Sequence, residues 1–348
     1  MKYHKADGWS RREFLGGLAL AGTAAVIGLR PELGTAAAEP PPETTRLRIF
    51  QGKPACWAPM YVAEPLLREE GFTDLQYVIG DAQEKVMKMS GEGSIDLSAG
   101  FLGQGMYNLE HQPHPLKFLS GLHVGCYALI GSERIRSVRD LKGKTVWAGA
   151  YKNAGPHIFF STIVAYVGLD PRTDINYVWV NKDEAIRLFR DGKIDAFMSF
   201  PPGAHELMHM GLGHLLIDTN VDKPWSQYFC CMVFGQNDFI KKNPIATRRA
   251  VRAILKANDI VARDPEMAAR ILVAKKVIKE SDYIHTIPEL KHIPYNKWRD
   301  YNPEDTIRFF ALRMRETGML KSNPQQFIDQ HTDWRFMNEL KKEFRITW

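Results

Sequence analysis

The feature that most narrows the fold is an internal repeat, offset by roughly one hundred residues. One copy reads Gly71-Phe72, then Leu75-Gln76-Tyr77-Val78-Ile79, a helical stretch from Asp81 to Val86, and Gly93-Ser94-Ile95-Asp96-Leu97. The other reads Gly168-Leu169, then Ile175-Asn176-Tyr177-Val178-Trp179, a helical stretch from Lys182 to Ile186, and Gly192-Lys193-Ile194-Asp195-Ala196. Each copy opens on a short apolar strand, Leu47 to Phe50 or Lys144 to Trp147, followed by a helix with Pro59 or Pro156 in its first turn. Strand and helix patterns in alternation are the mark of βαβ units. In the shared G-x-I-D segment, glycine ends a helix, isoleucine starts a buried strand and aspartate sits at the strand's mouth.

The repeat predicts an α/β fold of two open-sheet lobes with parallel strands. Lobe 1 spans residues 46–122 and lobe 2 residues 123–225. The chain crosses between them near Ser120 to Tyr127 and returns near Asp218 to Gly235. Residues 226–348 return to lobe 1 and continue as a helical C-terminal part. Asn243-Pro244, Asp264-Pro265 and Asn302-Pro303 each place a capping side chain before a first-turn proline.

Residues 1–38 read as an address rather than as part of the fold. Ser10-Arg11-Arg12-Glu13-Phe14-Leu15 is a twin-arginine signature, followed by an apolar Ala/Gly-rich stretch and by Ala36-Ala37-Ala38. Export through the twin-arginine translocase is expected, with release of a soluble chain because no cysteine near the cleavage point offers a lipid anchor. Residues 39–45, beginning Glu39-Pro40-Pro41-Pro42, form a linker.

The leader holds five basic and three acidic residues, so the excess of +6 falls to +4 once it is removed. Among the remaining bases, Arg248, Arg252 and Lys256 recur at helical spacing opposite Val251, Ile254 and Leu255, which reads as a solvated helix face. No dense basic cluster with interleaved aromatics appears, so nucleic acid is not an expected partner. Four cysteines, Cys56, Cys126, Cys230 and Cys231, are too few for a disulfide scaffold and lack the C-x-x-C spacing of a zinc ribbon. Cys230 and Cys231 fall in a stretch that alternates as a strand, so their sulfurs are expected on opposite faces, as small buried residues.

His205-Glu206-Leu207-Met208-His209 matches H-E-x-x-H, the zinc-peptidase helix. The metzincin continuation requires a glycine and a histidine where this chain has Leu212 and Leu215, and the segment is bounded closely by Pro201-Pro202-Gly203 and Gly211. A zinc hydrolase is therefore a remote alternative. No G-x-S-x-G, Walker loop or G-x-G-x-x-G is present.

In open α/β sheets ligands bind beyond the carboxyl ends of the strands, which points to a cleft between the lobes. Its first wall is expected to include Gln51, Lys53, Trp57, Asp81, Gly100 and Phe101, and its second Tyr151, Lys152, Asn153, Asn181, Ser199 and Phe200. Tyr228 joins them from the return segment. Lys53 and Lys152 against a single aspartate favour a small anionic ligand, and the helix opening near Asn153 adds a positive dipole end. No metal ligands, catalytic residues or cofactor are expected.

Four segments carry a resemblance: Ala58-Pro59-Met60-Tyr61-Val62-Ala63, Val138-Arg139-Asp140-Leu141-Lys142-Gly143-Lys144-Thr145-Val146, Asp191-Gly192-Lys193-Ile194-Asp195-Ala196, and Asp238-Phe239-Ile240-Lys241-Lys242-Asn243-Pro244. They resemble the substrate-binding proteins of nitrate, sulfonate and taurine type ABC importers. The resemblance implies a type II periplasmic binding fold whose lobes close on a small solute and then dock on a membrane permease. It implies a binding protein rather than an enzyme; with the export signal the expectation is a periplasmic protein, and a monomer is expected. The same superfamily contains the thiamine pyrimidine synthase, which resembles this chain around Cys230-Cys231. Where that enzyme carries a lysine and a histidine this chain has Gly100 and Gln104, and where it has a first-loop histidine this chain has Trp57. Binding rather than synthesis is the expectation, with such an enzyme or a pyrimidine-precursor binding protein as the alternative.

Overall fold

The computed structural model describes residues 39–80, 83–112 and 114–347. The leader at 1–38 and the candidate Asp81 lie outside them. Among the described residues ten strands follow in chain order: β1 (Arg46–Gln51), β2 (Asp74–Ile79), β3 (Leu97–Phe101), β4 (Leu116–Val124), β5 (Ala128–Gly131), β6 (Lys144–Trp147), β7 (Ile175–Tyr177), β8 (Ala196–Ser199), β9 (His214–Asp218) and β10 (Phe229–Gln236). They form two five-stranded sheets, ordered β2-β1-β3-β10-β4 and β7-β6-β8-β5-β9. The sheets correspond strand for strand, so the repeat in the sequence is a repeat in the fold.

The strands of the repeat pair in parallel, β1 with β2 and β3, and β6 with β7 and β8. The sheets as a whole are mixed, not parallel as the pattern suggested. β10 runs antiparallel between β3 and β4, and β5 antiparallel between β8 and β9. The reason lies in the crossings: the strand that follows each one is inserted inside the sheet it enters rather than added at an edge.

The G-x-I-D motif acts as a strand tie in both lobes. Asp96 accepts the backbone N–H of Arg48 at 2.7 Å and its guanidinium at 2.6 Å. Asp195 accepts the backbone N–H of Thr145 at 2.9 Å and the Arg134 side chain at 2.5 Å. Both carboxylates lie at the amino ends of β3 and β8, away from the strand ends that face the cleft.

Fourteen helices surround the sheets: α1 (Ala58–Val62), α2 (Glu64–Glu69), α3 (Gln83–Gly91), α4 (Leu102–His111), α5 (Gly155–Tyr166), α6 (Lys182–Arg190), α7 (Gly203–His209), α8 (Asn237–Lys242), α9 (Pro244–Arg263), α10 (Pro265–Ala274), α11 (Tyr283–His292), α12 (Pro303–Glu316), α13 (Pro324–His331) and α14 (Arg335–Thr347), counted among the described residues. Asp264 and Asn302 cap α10 and α12 as their Asx-Pro pairs predict. Asn243 does not cap α9. It ends α8 instead, donating to the Phe239 carbonyl at 3.1 Å, while Glu43 accepts the N–H groups of Ile245 and Ala246 at 2.9 Å each.

The arginine stripe of α9 also departs from the expected solvated face. Arg252 bonds Glu70 at 2.7 Å and exposes only 11% of its side chain, and Arg248 bonds Glu343 at 2.6 Å. Carboxylates following α2 and on α14 come up against the stripe, so it is packed by ion pairs while Val251, Ile254 and Leu255 fill the core behind it. Among the described residues no helix is long and apolar enough to cross a membrane.

Candidate functional site

The chain passes from one sheet to the other at residues 125–127 and back at 219–228. The two crossings are bonded to each other. Tyr127 N–H donates to Thr219 Oγ1 at 2.9 Å, Thr219 N–H to the Tyr127 carbonyl at 3.0 Å, and Cys126 N–H to Asn220 Oδ1 at 3.1 Å. Two short connections lying side by side make a hinge, and they set the Tyr127 ring between the lobes.

Around that ring the strand ends converge. Phe101, at the end of β3, has its ring 5.0 Å from Tyr127 and 5.9 Å from Phe200, which follows β8 in the other lobe. Trp57 lies 6.2 Å from Phe101. Trp57, Phe101 and Tyr127 are all buried, so both lobes share one aromatic floor. Beside it, α5 points its first turn at lobe 1: Gly155 N–H donates to Gln104 Oε1 at 3.1 Å. A β-carbon on Gly155 would sit 2.9 Å from the Phe101 ring, 3.0 Å from the Tyr127 hydroxyl and 3.2 Å from Gln104 Oε1. Glycine is needed there for the lobes to meet.

Two polar atoms of this floor are buried without a hydrogen-bond partner, Trp57 Nε1 and the Tyr127 hydroxyl. Burial holds the Tyr127 phenol well above its usual range, so it stays protonated and able to donate. Unmade hydrogen bonds of this kind cost roughly 1–3 kcal/mol each and commonly mark a place where another molecule supplies the partner.

A cavity of about 360 Å³ flanks the floor, with Tyr107, Lys152, Asn153, His157 and Trp179 in its walls. Asn153 takes a positive φ of 65°, which aims its amide at Tyr107 Oη (2.7 Å) and its N–H at His157 Nδ1 (3.1 Å). Burial, with a smaller push from the Lys152 charge, lowers His157 to about 4. The imidazole is therefore neutral near pH 7, with Nδ1 as acceptor.

A second cavity, of about 310 Å³, is lined by residues that include Cys126, His205, Asp218, Glu289 and His292. Burial lifts Glu289 to about 7, against the opposing pull of the His205 N–H that it accepts at 2.7 Å. The H-E-x-x-H segment forms α7, but Glu206, which would be its base, is paired with Lys182 at 2.6 Å. His205 instead meets His285, with Nδ1 atoms 3.1 Å apart.

Of the candidates read from the sequence, the structure gathers Trp57, Phe101 and Phe200 at the floor and places Lys152 and Asn153 in the flanking cavity. Gly100 lies in β3 against the Phe234 ring, and Ser199 is buried beside Gly203. Lys53 and Tyr151 are on the exposed rim. Others have local work: Gln51 donates to the Lys275 carbonyl at 2.8 Å, and Asn181 caps α6 by accepting the Glu184 N–H at 3.0 Å. Tyr228 stacks on Phe309 at 4.0 Å in a separate cavity with Asp305 and Arg308. Tyr127, Gln104 and His157 are additions; Tyr127 lies in the crossing segment that the pattern located, and that position was its only signal.

The cysteines also differ from expectation. A bulge in the pairing of β10 with β4 interrupts the alternation at Cys230. Cys230 Sγ comes 3.3 Å from Cys126 Sγ, while Cys231 reaches the same cysteine within 4.8 Å, so the two sulfurs do not face opposite sides.

Residues 41–277 match the NMT1-like family. No curated protein matches the chain. Among solved structures, the chain is similar to the periplasmic nitrate-binding protein NrtA of Synechocystis, with a TM-score of 0.70 and 14% identity over 87% of this chain and 90% of that one. It is also similar to the periplasmic aliphatic sulphonate-binding protein SsuA of Escherichia coli, with a TM-score of 0.67 and 17% identity over 83% and 92% of the two chains. The desulfurization enzyme DszB shares the fold at a TM-score of 0.59 and 12% identity, over 86% and 99%. At these identities the likeness is one of fold, the periplasmic-binding-protein architecture.

Proposed function

The chain belongs to the NMT1-like family, and we propose that it is the exported solute-binding component of an ABC importer, capturing a small organic anion such as a sulfonate between its lobes. The observation that carries this reading is the pair of buried, unpartnered donors, Trp57 Nε1 and Tyr127 Oη, set among aromatic rings from both lobes beside the N-terminus of α5. Donors and a helix N-terminus suit an acceptor-rich, negatively charged head group. The rings of Phe101 and Phe200 suit an apolar body, which favours an organic anion over a bare inorganic one. Import function is supported by the nitrate-binding and sulphonate-binding proteins of the same architecture.

In this reading the crossings at 125–127 and 219–228 flex, the Gly155–Gln104 and Phe101–Phe200 contacts part, and solute enters before the lobes close. The closed form then docks on a membrane permease, in the periplasm, after export through the twin-arginine translocase and removal of residues 1–38. A thermal-shift screen of the mature chain tests it, using sulfonates, taurine, nitrate, small carboxylates and pyrimidines. A solute at about 100 times its Kd adds about 2.7 kcal/mol of stability, a rise of several degrees. No rise with any class would defeat the reading.

A second reading, an enzyme on the same architecture, draws on the DszB likeness and on the thiols beneath the floor. All four cysteines are buried, and among them only Cys126 is in the wall of one of the cavities described above, the one of about 310 Å³, which favours binding over thiol attack on a solute held between the rings.

A further inference from the structure

Four side chains that the solute reading does not use meet under the cleft floor. Cys56 is in the turn after β1, His123 near the end of β4, Cys126 in the first crossing and Cys231 near the start of β10. One ligand-capable atom from each lies within 4.8 Å of the other three. None of the four exposes more than 3% of its surface. Ligand atoms around a tetrahedral ion with metal–sulfur bonds of about 2.3 Å stand about 3.8 Å apart, so the cluster needs only a slight contraction to close on one.

Three further observations point the same way. His123 Nδ1 lies 3.2 Å from the Val124 carbonyl, which makes it the protonated nitrogen, and Nε2 is buried with no hydrogen-bond partner. A ring oriented by a carbonyl, with its other nitrogen open, is the arrangement of a metal-bound histidine. Cys126 holds a φ of 88°, a conformation that disfavours any side chain, fixed by the bond of its N–H to Asn220. A cysteine kept where glycine would be unstrained is explained by a use for its sulfur. Finally, Cys126 is in the wall of the cavity that also holds His205, Asp218, Glu289 and His292 among apolar side chains, which gives an ion an entry path to the buried thiols.

We propose that Cys56, His123, Cys126 and Cys231 form a buried Cys3His site for a thiophilic divalent ion, with zinc as its expected occupant. Three thiolates and one imidazole in tetrahedral array are a structural zinc set, and softer than the oxygen ligands that magnesium or calcium require. Binding displaces the three thiol protons to solvent and changes no oxidation state. Trp57 and Tyr127, the two unpartnered donors of the floor, each directly follow a cysteine of the site. The ion therefore pins the backbone that aims both donors, joining the first loop and the first crossing to the lobe 1 sheet. The ion site stands whichever solute the cleft takes.

Cobalt(II) is the probe. Reduced, chelator-treated full chain titrated with Co(II) is expected to take one equivalent, with the intense visible bands of a tetrahedral site and a near-ultraviolet thiolate charge-transfer band. Zinc then bleaches both. His123→Gln and Cys231→Ser each weaken binding by more than about 100-fold, with folding checked by circular dichroism. Cys230→Ser leaves it unchanged, although Cys230 Sγ is the sulfur 3.3 Å from Cys126. Wild-type chain that gives no charge-transfer band overturns the proposal whether or not the variants fold. So does a Cys126–Cys230 disulfide found by mass spectrometry in the purified exported protein. No solute enters the titration, so its failure is separate from a failure of the importer reading.

Discussion

The backbone N–H of Gly155, the first residue of α5 in lobe 2, donates to the side-chain oxygen of Gln104 on α4 in lobe 1 at 3.1 Å. A helix N-terminus between two lobes is where an anion is best placed, and here a neutral amide oxygen from the facing lobe occupies it. Gln104 thus bonds one lobe to the other and, in the proposed reading, occupies the place that a solute's acceptor would take.

Replacing Gln104 by alanine leaves the Gly155 N–H buried without an acceptor. The expected cost is roughly 1–3 kcal/mol, read as a fall of several degrees in Tm. Small-angle scattering of the variant should show a larger radius of gyration, because one interlobe bond is gone. A variant as compact and as stable as wild type would mean that the contact holds nothing together.

Tyr127→Phe separates stability from binding. The hydroxyl has no partner in the structure, so removing it should leave the ligand-free Tm unchanged or slightly raised. If the hydroxyl donates to bound solute, affinity falls about tenfold, the worth of one hydrogen bond near 1.4 kcal/mol. Calorimetry with whichever solute raises Tm checks both halves. Equal affinity in the two proteins would exclude Tyr127 from recognition.

The strand ties make a contrasting test. Asp96 and Asp195 are nearly buried, each paired with an arginine and a backbone N–H, on the side of the sheets away from the cleft. Asp96→Ala and Asp195→Ala should each cost roughly 1–3 kcal/mol, because a backbone N–H and a partly or largely exposed guanidinium lose a nearly buried acceptor together. Solute Kd measured well below the lowered Tm should not move. The cost should be larger at Asp96, whose Arg48 partner is the more buried, with 26% of its side chain exposed against 54% for Arg134.

These ties and the cleft differ in how much of them a sequence can carry. Asp96 and Asp195 are legible because G-x-I-D is local: a helix stop, a strand start and one carboxylate within a few residues. Trp57, Phe101 and Phe200 follow from a general rule about strand ends. The inserted antiparallel strands β5 and β10 are not legible, since their place depends on pairing with strands distant in the chain. The same holds for Cys56, His123, Cys126 and Cys231, which come from three separate segments, His123 and Cys126 sharing one, and meet only because of the crossing and the bulge at Cys230. Asn243 shows the limit at short range: a helix ends directly before both Asx-Pro pairs, yet Asp264 caps the next helix while at Asn243 the distant Glu43 takes the free N–H groups instead.

His157 should make the protein acid-sensitive. Its folded-state pKa of about 4 lies below the ordinary 6.5, first through burial and then through Lys152. Above pH 6.5 both folded and unfolded states are neutral there, and the contribution to stability is complete. As pH falls from 6.5 toward 4 the unfolded chain takes up a proton that the folded one refuses, and up to roughly 3 kcal/mol is lost. His157→Gln, which keeps an acceptor for the Asn153 N–H, should flatten that loss when Tm is followed between pH 7 and 4.5.

Glu289 carries the opposite sign. Burial raises its pKa from 4.5 to about 7, with the His205 N–H and the Lys182 charge pulling it back only in part. Below pH 4.5 the carboxyl is protonated in both states and contributes nothing to the pH dependence. Between 4.5 and 7 the unfolded chain ionises first, so the folded state holds the extra proton and stability falls as pH rises. Above 7 the penalty is complete and flat. Glu289→Gln removes the titration while keeping an oxygen to accept the His205 N–H. The Tm of wild type minus that of the variant should therefore drop between pH 5 and pH 7.5, the reverse of the His157 comparison over its own range. A difference that is constant across that window would place the Glu289 carboxyl in water, with an ordinary pKa.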